Sequence, residues 1–147
     1  MKRKHLLAIV LVVAVAGGAI AYRAARTHPS VLGISNTPDS RNELRRSSLS
    51  QLKDGITRYL ADHNNKWPIA VPTTQTEICT GSVSACKTTK LVDLNFLVGS
   101  GYMATIPNDP VGGVGKYTSG YEMYRDKAGL VHLVAVRAES AVISLSF

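Results

Sequence analysis

A helical repeat of apolar positions dominates residues 39–68. Six side chains recur at steps of three and four and fall along one side of a helix: Leu49, Leu52, Ile56, Tyr59, Leu60 and His63. Ser40 followed three positions later by Glu43 fits a capping box, which would begin the helix. Two asparagines and then Pro68 would end it, because asparagine tolerates the left-handed conformation and proline prevents a restart. The pattern predicts a long amphipathic helix whose apolar stripe needs a partner.

Near the C terminus the period changes to two. Three segments have strand-like lengths and patterns: residues 121–125, 130–136 and 141–147. They predict a three-stranded antiparallel meander, and the long helix packed across it would bury both apolar surfaces. A short helix is predicted within residues 91–98, with Asp93 as its N-cap. Residues 67–90 are rich in Thr, Ser and Pro and lack either period, so they are predicted to be a loop. The predicted fold class is α+β.

An uncharged apolar run, residues 6–22, follows the basic N terminus MKRKH. As a helix it would be about 25 Å long, slightly less than the hydrocarbon core of a bilayer. Two interpretations stand, a cleaved secretory signal and a retained transmembrane helix. Arg23 and Arg26 favour the retained anchor, because they suit the outer membrane interface. Both interpretations place the rest of the chain outside the cytoplasm.

The predicted organisation has three parts. Residues 1–26 form a membrane anchor or uncleaved signal, residues 27–38 a linker, and residues 39–147 an extracytoplasmic domain. The linker contains prolines, a glycine and small polar residues, and an ordered loop lying on the domain is the alternative.

The formal charge of +7 belongs mainly to the N-terminal part. Without the five basic residues that precede position 27, the chain has 12 basic and 10 acidic residues. Five basic residues lie on the long helix: Arg41, Arg45, Arg46, Lys53 and Arg58. Glu43, Asp54 and Asp62 alternate with them, which is typical of a solvated, salt-bridged surface. No nucleic-acid binding is therefore expected.

The two cysteines, Cys79 and Cys86, lie in the predicted loop. Their spacing fits neither a C-x-x-C redox motif nor a zinc site. In an exported domain we expect a disulfide that closes a small ring, with two free buried thiols as the alternative. The four histidines are scattered and none pairs at ligand spacing, so no catalytic residue is predicted.

Three sequences occur in a fixed order: a helix ending in YLADHNNKWP, the turn IPNDPVG, and the strand pair GYEMYRDKAGLVHLVAV. The positions that carry these motifs are Asn65, Trp67, Pro68, Pro107, Asp109 and Pro110. The order resembles that of type IV pilin-like proteins and is closest to the pseudopilins of type II secretion systems. The resemblance covers roughly residues 41–136.

The resemblance implies a transmembrane helix followed by a long helix packed on a small antiparallel sheet. It implies a non-enzymatic subunit in the bacterial cytoplasmic membrane, single-pass, with other pilin-like subunits or secretion-system proteins as partners. Some pseudopilins bind calcium through acidic loop residues, and Asp109, Glu122 and Asp126 are the weak candidates here. Carboxylates in turns are commonly turn formers, and no other cofactor is expected.

The chain departs from this family at its N terminus. No glycine followed by Phe-Thr-Leu-x-Glu precedes the apolar run, and residues 6–22 contain no glutamate. A prepilin-peptidase signal is therefore not recognisable. This departure supports an alternative function, a stand-alone exported module that recognises a surface or ligand through residues 67–90.

Overall fold

Helix α1 spans Pro38–Asp62 in the computed structural model, which describes residues 36–147. Its N-cap is Thr37, whose hydroxyl accepts a hydrogen bond from the Ser40 backbone N–H at 3.3 Å. The Ser40 hydroxyl in turn accepts from the Thr37 N–H at 3.0 Å. The predicted capping box at Ser40 and Glu43 is therefore wrong. Ser40 is the third residue of a box that begins at Thr37, because Pro38 suits the first helical position.

The apolar stripe of α1 is the centre of the core. Leu49, Leu52 and Ile56 are fully buried, and Tyr59 is nearly so. Leu60 is half-buried at the edge of the core, whereas His63 is exposed beyond the end of the helix. The predicted stripe is therefore confirmed over three turns and ends at Leu60.

Helix α1 ends as the asparagine pair predicted. Asn64 and Asn65 both adopt left-handed conformations, with φ of 52° and 57°. The Asn65 N–H donates to the Leu60 carbonyl at 2.8 Å, which satisfies a carbonyl of the last turn.

Four antiparallel strands form one sheet in the order β1-β2-β3-β4. They are β1 (Thr76–Cys79), β2 (Thr118–Arg125), β3 (Val131–Ala135) and β4 (Ser144–Ser146). The hairpin of β2 and β3 was predicted, and its register pairs Arg125 with Val131. Beneath α1, the sheet contributes Tyr121, Met123 and Leu133, all fully buried. The α+β class and the small antiparallel sheet are therefore confirmed, with four strands where three were predicted.

The segment predicted to be a loop contains two further elements. Strand β1 pairs with β2, and helix α2 spans Val83–Thr89 with Ser82 as its N-cap. The prediction of an unstructured loop over residues 67–90 is therefore wrong. The polar residues around β1 show no strand period, and β1 is a short edge strand held by its backbone pairing to β2 and by Ile78, which is buried in the core.

The short helix predicted within residues 91–98 is present as α3, Asn95–Gly99. Its N-cap is Leu94 rather than Asp93. The Asp93 carboxylate still accepts a hydrogen bond from the Asn95 N–H at 3.0 Å, although Asp93 lies one residue before the N-cap.

None of the helices within residues 36–147 has the length and apolar composition needed to cross a bilayer. The predicted anchor over residues 6–22 lies outside the described residues.

Candidate functional site

A buried ion pair joins α1 to the turn that carries the Asp109-Pro110 motif. The Arg45 guanidinium donates through Nε to Asp109 Oδ2 at 2.7 Å and through Nη2 to Oδ1 at 3.1 Å. Both side chains are fully buried. The two parallel hydrogen bonds match the planar guanidinium to the planar carboxylate, which is the strongest geometry for such a pair.

A second carboxylate extends the pair into a cluster. Glu139, after β3, accepts from Arg45 Nη1 at 3.0 Å and from Arg41 Nε at 2.6 Å. Asn42 completes the contact with the backbone of Glu139: its amide nitrogen donates to the Glu139 carbonyl at 2.7 Å, and its amide oxygen accepts from the Glu139 N–H at 3.1 Å. We call these five residues, Arg41, Asn42, Arg45, Asp109 and Glu139, the charge cluster.

The backbone positions Asp109 from both sides. Its N–H donates to the Ser119 carbonyl at 2.7 Å, and its carboxylate also accepts from the Val111 N–H at 2.9 Å. Gly120 has φ of +83°, and a Cβ at that position would lie 2.5 Å from Asp109 Cβ. Only glycine therefore fits beside the buried carboxylate, since any other side chain would be both strained and displaced.

Hydrogen bonds within the charge cluster favour the charged forms of Arg45 and Glu139. Hydrogen bonds to Asp109 raise the pKa of Arg45, against the opposing effect of burial. The hydrogen bond from Arg41 lowers the pKa of Glu139 from 4.5 to about 2, with Arg45 acting in the same direction. Two guanidinium groups therefore face two carboxylates, and the buried pair is neutral as a whole.

The charge cluster links α1, the Asp109 turn and the segment after β3. Arg45 and Asp109 are fully buried and form hydrogen bonds with each other and with neighbouring groups. Removing one partner of such a pair is strongly destabilising, because the other charge is left buried and unpaired.

The disulfide is the predicted site that the structure confirms. Cys79 at the end of β1 and Cys86 in α2 are bonded, with Cα atoms 5.6 Å apart. Both are fully buried, so the bond lies under the surface and ties α2 to the edge of the sheet.

The three calcium candidates lie apart from one another. Asp109 is bonded to Arg45, and Asp126 sits in the β2–β3 turn with His132 Nε2 at 2.8 Å. Glu122 lies in β2 directly opposite Glu77 in β1, where burial and the Glu77 charge raise the pKa of Glu122. Within residues 36–147, no three His, Cys, Asp or Glu side chains are grouped to hold a metal ion.

The other motif residues are structural parts of turns. Trp67 is half-buried, and the Arg125 guanidinium lies 5.8 Å from its ring centroid. Pro107 is half-buried and Pro110 exposed, on either side of buried Asp109. Pro68 is exposed where the chain leaves α1.

Arg45 is the residue whose role the sequence pattern missed. It was predicted to lie on an exposed basic face, and that prediction is wrong for Arg45, which is fully buried. A signal was present, because Arg45 precedes Leu49 by four and Leu52 by seven, in phase with the apolar stripe. Arg46, one position later, is exposed as predicted and pairs with Glu43 at 3.3 Å.

Comparison of the chain with protein-family models, with curated proteins and with solved structures finds no match.

Proposed function

We propose that this protein is a non-enzymatic, membrane-anchored, pilin- or pseudopilin-like structural subunit of a type IV pilus or a type II secretion-like assembly. The observation that carries the proposal is the ion pair between Arg45 and Asp109. It attaches the Asp109-Pro110 turn, one motif of the resemblance, to the long helix that ends in the other motif. The two motifs thus belong to one structural unit, an α-helix laid across an antiparallel sheet.

The mechanism of such a subunit is packing. The anchor over residues 6–22 would hold it in the cytoplasmic membrane, and residues 36–147 would face outward. One side of α1 is already covered by the sheet, so the exposed side and the loops are free for neighbouring subunits. Val114 and Val142 project from two of these loops with 79% and 92% of their surface exposed. A neighbouring subunit that covers them would gain apolar burial.

Expression of the full chain in a bacterium tests this proposal by membrane fractionation and crosslinking. We expect the chain in the inner membrane and in crosslinked products with itself or with assembly proteins. A variant that lacks residues 6–22 is the matched control and should leave the membrane fraction. Recovery of the full chain as a soluble cytoplasmic monomer would overturn the proposal.

The alternative is a stand-alone exported binding module. The folded state of residues 76–90 favours it, because β1, α2 and the disulfide present a structured surface there. Gene neighbourhood separates the two functions. Adjacent genes for an assembly ATPase, a platform protein and a prepilin peptidase favour the subunit, and their absence favours the module.

A further inference from the structure

A groove lies between the segment that follows α1 and helix α2. It consists of two adjoining depressions of about 370 Å³ and about 280 Å³. The larger is lined by Pro68, Val83 and Phe96, and the smaller by Pro72, Leu91 and Val92. Ile69, Lys87 and Asp93 line both, so the depressions are continuous. We call this feature the α2 groove.

The walls of the α2 groove are held in place by contacts that do not need a ligand. The disulfide fixes α2 to β1, and Val92 pairs with Ile78 through a parallel bridge. The Asn95 side-chain amide donates to the Gly81 carbonyl at 3.0 Å, which joins α3 to the start of α2. A groove with fixed walls loses little conformational entropy when it is filled.

The charge along the α2 groove is positive on balance, because two lysines and one aspartate line it. Lys87 and Lys90 are exposed, and neither ammonium group has an ion-pair or hydrogen-bond partner within residues 36–147. The one acidic lining residue, Asp93, already accepts from the backbone and the side-chain amide of Asn95, at 3.0 and 2.8 Å. The apolar floor is therefore flanked by two ammonium groups that are available to a carboxylate.

We propose that the α2 groove binds an extended segment of a partner protein that combines apolar side chains with a carboxylate. In an extended chain, alternate side chains point to the same side about 7 Å apart, which suits two adjoining depressions. The carboxylate would meet Lys87 and Lys90 at the flank. A bilayer surface is disfavoured, because the apolar residues line a concavity. This inference does not depend on whether the protein is a filament subunit or an exported module.

A random heptapeptide library displayed on phage tests the inference against the purified full chain. We expect enriched sequences that combine Leu, Ile, Val or Phe with Asp or Glu. The enriched peptides are then synthesised with free and with amidated C termini, which separates a side-chain carboxylate from a terminal one. The charge reversal Lys87→Glu with Lys90→Glu should weaken their binding by about tenfold or more. Arg46→Glu is the matched control, because Arg46 is exposed in the first half of α1 and lines neither depression, and it should leave binding unchanged.

A photoreactive residue at position 83 supplies the second readout, in cells. Val83 lines the larger depression and is 49% exposed, so the replacement does not disturb the core. A crosslinked segment supports the inference when the same segment, made as a peptide, binds the natural chain and binds the double lysine variant about tenfold more weakly. Three results would overturn it: no enriched peptide, enriched peptides that bind the double lysine variant as well as the natural chain, or crosslinks to lipid alone.

Discussion

Arg45 and Asp109 are 64 positions apart in the chain and meet as a fully buried, doubly hydrogen-bonded ion pair. The arginine comes from the first half of α1 and the carboxylate from a turn between α3 and β2. Glu139 joins them from beyond β3. Arg45 therefore links α1 to two segments that are distant from it in the sequence, the Asp109 turn and the segment after β3.

Removing Arg45 should be strongly destabilising. Arg45→Ala leaves the Asp109 carboxylate buried without its partner, which costs about 3–5 kcal/mol. Urea denaturation of residues 36–147 measures the loss. Arg46→Ala is the matched control, because Arg46 is exposed on the same helix, and its effect should stay within about 0.5 kcal/mol.

Replacing both partners tests whether the buried charge itself causes that loss. The double change Arg45→Met with Asp109→Leu removes the two charges together and should be more stable than Arg45→Ala alone. Equal midpoints for Arg45→Ala and Arg46→Ala would show that the pair does not fasten the fold.

The apolar stripe should behave as one cooperative core with the sheet. Ile56 is fully buried in the core between α1 and the sheet, so Ile56→Ala should cost about 2–5 kcal/mol in the free energy of unfolding. Thr57→Ala, one residue on and exposed, is the control and should change little. Arg58 is a less suitable control, because its guanidinium donates to the Tyr102 carbonyl.

Deleting residues 141–147 should be as damaging as Ile56→Ala. The deletion removes β4 and buried Ile143, and it exposes Leu133, which β4 pairs with through Leu145. Chemical denaturation of both variants gives the comparison. An unchanged midpoint after the deletion would mean that the C terminus is not part of the core.

Acid should weaken the charge cluster within a defined pH range. Glu139 has a folded pKa of about 2 against 4.5 for the free side chain, so its stabilising contribution is present above pH 4.5. That contribution is lost as the pH falls from 4.5 towards about 2, because the carboxylate must then take up a proton. Glu139→Gln should be less stable than the natural chain at neutral pH, and the difference should shrink over this range. Glu43→Gln, exposed on α1, is the control whose difference from the natural chain should be smaller.

The disulfide should contribute to stability without deciding the fold. For the ring of eight residues from Cys79 through Cys86, the chain-entropy contribution is about 2.5 kcal/mol. Alanine at both positions should lower the free energy of unfolding by about that amount and preserve the far-UV circular dichroism spectrum. Mass spectrometry of the non-reduced natural chain should show a mass two hydrogens below that of the dithiol. Complete alkylation without a reductant would contradict the bond.

Local features were predictable because they depend on neighbours in the sequence. The three- and four-residue spacing of Leu49, Leu52 and Ile56 selects one side of a helix whatever lies opposite it. The asparagine pair before Pro68 stops that helix through its own backbone preferences. The β2–β3 hairpin follows from alternation and a tight turn. Gly55 is unfavourable in a helix, and its close approach to Met103 explains why glycine stands there. A Cβ there would lie 2.7 Å from Met103 Cγ.

By itself, the sequence determined α1, its apolar stripe, the central hairpin and the pairing of the only two cysteines, since each follows from short-range spacing or from composition. Only the tertiary structure decided that Arg45 is buried, because burial of a charge depends on partners that lie at positions 109 and 139. It also decided that Thr76–Cys79 is a strand, because an edge segment of polar composition becomes one through its backbone pairing to β2. The α2 groove belongs to the same class, since it exists only where residues 68–72, helix α2 and residues 91–96 pack side by side.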